Sequence, residues 1–119
     1  MGREHARGRL MSAGQDRRDA AAERRDVVAD ERDGLADVRE SAANTREAIA
    51  DEREREADTH PTRRGGERGR RVRERARLGR AGDALLRIVA RLARKEAGRA
   101  RTDSGMARDQ TAAEREKSE

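Results

Sequence analysis

The chain has 119 residues, of which 46% are charged and none is aromatic; it carries a net charge of +5 and no cysteine. That composition leaves too little apolar surface for a sizeable globular core, excludes disulfides and thiolate metal sites, and contains no apolar run near the ~18 residues that cross a bilayer. The charge is uneven, −6 over residues 12–58, +9 over residues 59–119 and +2 over the first eleven, so the two halves attract each other and salt weakens the attraction.

Residues 1–12 start with MGREHARGRLM, which has two glycines and no periodicity, and read as a disordered basic lead. The charged start lacks the apolar stretch of a signal peptide, which places the chain in the cytoplasm. Met1 and Met11 are both candidate starts. From Asp16 to Ala57 six seven-residue units follow one another: DRRDAAA, ERRDVVA, DERDGLA, DVRESAA, NTREAIA and DEREREA. Each has Arg third, an acid fourth and Ala last, and a period of seven sustained this long is the mark of helices that associate. Helix 1 is expected over 13–58, capped by Ser12 or Asp16, and its heptads alone span about 63 Å at ~1.5 Å per residue.

On the heptad wheel the first and fourth positions form an acidic stripe, from Asp16 and Asp19 to Asp37 and Glu40, interrupted by Asn44. The sixth and seventh positions carry Val28, Leu35 and Ile49 beside the alanine column Ala22 to Ala57. Alanine allows a close helix approach, while the arginine stems lie along the seam. Acids three and four apart repel within one helix, so the stripe calls for an external basic surface, either helix 2 or another chain.

Thr59-His60-Pro61-Thr62-Arg63-Arg64-Gly65-Gly66 reads as a hinge over 59–66, because Pro61 lacks a backbone donor and drives His60 out of the helical region. Helix 2 follows over 67–100, amphipathic and basic, with Leu78, Ala81, Leu85, Ile88 and Leu92 spaced as a seam and flanked by Leu86, Val89 and Ala93. Such a patch on a polar helix calls for association. Arginine recurs every seven residues from Arg73 to Arg115, one residue out of phase with helix 1. Residues 101–119 read as a polar, weakly helical tail. The expected fold is therefore all-α: two long helices as a helical hairpin or coiled coil, with disordered termini.

Chemistry finds little footing. The carboxylates have no apolar pocket to shift their pKa values, His5 and His60 are isolated, and Ser12, Ser41, Ser104 and Ser118 have no basic partner. Gly65-Gly66-Glu67-Arg68-Gly69 lacks the strand and the Gly-Lys-Ser/Thr ending of a phosphate loop. The chain reads as no enzyme, with no cofactor, no metal and no small-molecule substrate. A cluster of nine arginines between Arg63 and Arg80, including Arg63, Arg64, Arg68, Arg70, Arg71 and Arg73, is a candidate patch for nucleic acid. Without aromatic residues to stack bases, such binding would be weak, nonspecific and salt-sensitive. The other use of these arginines is to neutralise the acidic stripe of helix 1.

The six copies of Arg-Asp/Glu-x-x-Ala resemble the heptad coiled-coil segments that lie beside sensory and diguanylate cyclase domains in actinobacterial signalling proteins. The resemblance covers Asp16 to Asp58 and implies a connector or oligomerising element, with no functional residue carried over. In composition the chain is similar to hydrophilins and late-embryogenesis-abundant proteins, which implies protection of other proteins during water loss. The principal expectation is a non-enzymatic coiled-coil interaction or oligomerisation protein, a scaffold or signalling connector. It acts by self-association or with a helical partner through Leu78, Ala81, Leu85, Ile88, Leu92, Val28, Leu35 and Ile49. A nucleic-acid-associated basic protein and a stress-protective hydrophilin are the alternatives.

Overall fold

The computed structural model describes residues 2–60 and 65–118, with side chains from residue 8 onward. It is all-α: α1 runs Gly2–Thr59 and α2 runs Gly66–Ser118. Ala, Arg and Glu are among the best helix formers, and neither span contains a proline. That explains two differences from the sequence reading. The helix does not wait for Ser12 or Asp16 but already includes residues 2–12, where Gly8 and Gly14 weaken the helix without breaking it. It also continues through residues 101–118, past Gly98 and Gly105, because no glycine there turns left-handed and the Arg and Ala around them sustain the ladder. Mid-helix hydroxyls are satisfied locally: Thr45, Thr102 and Thr111 each donate to the carbonyl four residues back.

The break between the helices lies where the hinge was expected. The His60 N–H donates to the Ala57 carbonyl at 3.2 Å, and Pro61 to Arg64 lie outside the described residues. Gly65 and Gly66 have φ values of +81° and +62°, a left-handed conformation that side chains resist. The Gly65 carbonyl then accepts the Gly69 N–H at 3.2 Å and opens α2. Glu67 lies in the first turn of α2, and Arg115 and Lys117 in its last, each of the sign its helix end favours.

The chain divides into two compact units, residues Gly34–Arg94 and residues Met1–Asp33 with Lys95–Glu119. The first is a complete helical hairpin: the C-terminal part of α1, the turn and the N-terminal part of α2. The second pairs the N-terminal part of α1 with the C-terminal part of α2, again antiparallel. Among the described residues no side chain is fully buried. Cohesion within each unit therefore comes from partly covered pairs.

Candidate functional site

The seam of each unit is built from ions and small residues. In Gly34–Arg94 the partly covered positions of α1 include Ala36, Glu40, Ala43, Glu47, Ala50, Glu54 and Ala57, with Asp51 and Asp58 beside them, and those of α2 include Arg73, Arg77, Arg80, Ala84, Arg87 and Arg94. The fourth and seventh positions of each heptad therefore face α2. Arg73 Nε and Arg77 Nη1 donate to Asp58 at 2.7 and 2.9 Å. Arg80 donates to Asp51 at 2.9 Å and also pairs with Glu54. Arg87 donates to Asn44 at 2.9 Å and grips Glu47, and Arg94 reaches Asp37 at 2.8 Å and Glu40 at 2.5 Å. In the other unit Arg101 reaches Asp30 and Asp33 at 2.8 and 2.5 Å, Arg108 reaches Asp26 at 2.7 Å, and Arg115 reaches Asp19 at 3.1 Å. Within each unit a step of seven residues forward on α2 matches a step of seven back on α1.

The guanidinium groups of this ladder feel their partners. Hydrogen bonds to Glu40 and then Asp37 raise the Arg94 pKa, and Arg80, Arg87 and Arg101 rise for the same reason, against a smaller desolvation effect. The carboxyl of Asp19 falls below its ordinary value through a hydrogen bond from Gln15 and then from Arg115. That of Asp58 falls through Arg73 and then Arg77. These side chains remain within reach of water, so the pairs are screened by salt and act as a zipper of modest links.

The arginine column of α1 is placed differently. Arg25, Arg32, Arg39, Arg46 and Arg53 are exposed, and no carboxylate among the described residues pairs with them. Their neighbours three and four residues away are Ala, Val, Leu or Ile except for Glu56, three residues after Arg53, so the helix itself offers Arg25, Arg32, Arg39 and Arg46 no partner at that spacing. Beside them Val28, Leu35 and Ile49 are 44 to 57% exposed.

The leucine seam read from sequence as an association surface does not lie between the helices of this unit. Leu78, Leu85, Leu86, Ile88, Val89 and Leu92 are 53 to 70% exposed, and Ala81 is exposed as well. The reason is competition for one face: Arg80, Arg87 and Arg94 occupy it because α1 presents carboxylates there, and the leucines, one or two residues out of phase, turn outward. The basic run is divided in the same way. Arg73, Arg77 and Arg80 are drawn to α1, Arg71 meets Glu67 in its own helix at 3.8 Å, and Arg68 and Arg70 stay exposed. Arg63 and Arg64 lie outside the described residues. Among the described residues no cluster of His, Asp and Glu is arranged to hold a metal ion, and no helix is long and apolar enough to cross a membrane.

Neutralisation of the α1 stripe by arginines of the 63–80 cluster was one of the two uses read from sequence; that reading did not reach the extension of the pairing along the column to Arg87, Arg94, Arg101, Arg108 and Arg115, although acids on α1 and arginines on α2 share a seven-residue spacing and opposite charge. Comparison with protein-family models, with characterised proteins and with solved structures finds no match to this chain.

Proposed function

We propose that the chain is a non-enzymatic helical interaction module that associates, with itself or with another helical protein, through the outward apolar surface of unit Gly34–Arg94. The observation that carries this reading is the exposure of Leu85, Leu86, Ile88, Val89 and Leu92 on a helix whose other face is already engaged. Soluble monomers rarely leave such a contiguous patch uncovered, and the ion ladder, being wet, gives a lone hairpin little margin. Each large side chain fully covered by a partner contributes about 1.5–3 kcal/mol, so a few of them suffice for association. A cytoplasmic scaffold or connector role agrees with the likeness of Asp16–Asp58 to connector heptads.

The nucleic-acid reading draws less support, because Arg73, Arg77 and Arg80 are occupied by Asp58, Asp51 and Glu54. Sedimentation equilibrium of the wild type and of Leu85→Asp, with circular dichroism on both, tests the proposal. The expected result is a helical oligomer for the wild type and a smaller, less helical species for the variant. Identical sedimentation of the two would remove the leucine patch from consideration.

A further inference from the structure

Unit Gly34–Arg94 carries two flanks of opposite charge. Along α1, Arg39 and Arg46 sit one residue before the seam carboxylates Glu40 and Glu47, whereas Asp37, Asn44 and Asp51 sit one residue after the seam alanines Ala36, Ala43 and Ala50. One residue turns a helix by about 100°, so these backward and forward steps carry the two columns to opposite sides of the seam. On α2 Leu86 precedes Arg87 and Ile88 follows it. In an antiparallel pair the following sides of both helices coincide, as the groove of about 210 Å³ shows, where Asp37, Ser41 and Asn44 of α1 meet Ile88 and Arg91 of α2.

One flank therefore presents Arg39, Arg46 and Arg53 with Leu86, and its carboxylates are Glu56 from α1 and Asp83 from α2. The other presents Asp37, Asn44 and Asp51 with Ile88; Glu74 adds to its negative charge and Arg91 subtracts from it. Asp37 has capacity to spare, giving one oxygen to Arg94 while its side chain stays 56% exposed, whereas Asp51 is partly covered by its pairing with Arg80.

Resting on the assembly reading above, we infer that the occupant of the basic flank is a second copy of this chain, docked by its acidic flank. Both columns belong to one seven-residue repeat and share a rise of about 10.5 Å per heptad, so copies in register place an acid or Asn44 at every arginine. The ladder between α1 and α2 is the template for such a match, with arginines that lack acids in their own helix satisfied by a neighbouring helix. Contact between like flanks would oppose like charges. Contact between unlike flanks is heterologous and leaves one flank open on each copy, so the assembly grows beyond a dimer. Phosphates would satisfy the arginines and leave the acidic flank unmatched.

The absence of cysteine makes the test direct. An equimolar mixture of Arg46→Cys and Asn44→Cys, treated with a short bismaleimide, is expected to give mainly the mixed 46–44 product. A dominant 46–46 product would overturn the inference. By sedimentation velocity, the wild type is expected to grow with concentration past the dimer, while the triple variant Arg39→Glu, Arg46→Glu, Arg53→Glu stays small with unchanged helicity. If Leu85→Asp disperses the assembly and the triple variant does not, the stacking falls and the leucine-based assembly stands. A wild type that remains monomeric at every concentration and binds anionic vesicles instead overturns both.

Discussion

The arginine columns of α1 and α2 share one spacing and meet opposite fates. On α2, Arg80, Arg87, Arg94, Arg101 and Arg108 each find a carboxylate across their unit; on α1, Arg25, Arg32, Arg39, Arg46 and Arg53 find none. The two columns do not differ in period. They differ in what stands one step away: the residue after each α1 arginine is itself a seam acid, which takes the inward position and leaves the arginine on the flank. On α2 the residues next to each seam arginine are mostly apolar or small, so the arginine is the group that turns inward. Burial at a helix seam thus goes to the residue whose partner waits opposite, and the most apolar residue can lose that contest.

Breaking the α2 column is the largest perturbation. Arg87→Glu with Arg94→Glu sets like charges against Glu47 and Glu40, and unit Gly34–Arg94 is expected to lose its cooperative helical melt, read by circular dichroism. Acid should act on the same ladder. The folded-state pKa values of Asp19 and Asp58 lie below their ordinary value, so the folded chain binds fewer protons than the unfolded one between those limits. Their contribution is complete above the ordinary Asp value of about 4 and is lost as pH falls through the lowered folded values. Helicity at 222 nm should therefore drop below about pH 4, and added salt should lower it at neutral pH.

The small residues of the seam set the next effect. The register brings Ala50 level with Ala84, so Ala50→Leu should force the helices apart and destabilise by about 1–3 kcal/mol, measured by urea titration. Gly82 is exposed, and a Cβ added there would meet nothing within 4 Å. Gly82→Ala should stabilise α2 by roughly 0.5–1 kcal/mol. The smallest effect belongs to the α1 column. Arg39→Gln with Arg46→Gln should leave the melting temperature of the dilute monomer unchanged, and a clear drop would mean that these arginines hold the fold after all.

The helices were legible because their causes are local. Six heptads of Ala, Arg and acid, one Pro61 and the pair Gly65-Gly66 are enough to predict two long helices and the place where they part. The ends were less legible: residues 2–12 and 101–118 carry glycines and weaker periodicity, and only the absence of proline and the continued run of helix formers keep them helical. The spacing of Leu78, Leu85, Ile88 and Leu92 puts them on one stripe of a helix, but which stripe faces inward is not a local property.

The sequence by itself determined the all-α architecture, the opposite charge of the two halves, −6 against +9, and the repeat that sets the spacing of every column, since these follow from composition, periodicity and propensity along a single chain. Tertiary structure decided which columns meet. Rotating either helix by one residue moves a different column into the seam, and the choice rests on the sum of many weak pairs, Arg73 to Arg115 against Asp58 to Asp19, taken against an alanine surface flat enough to let them approach.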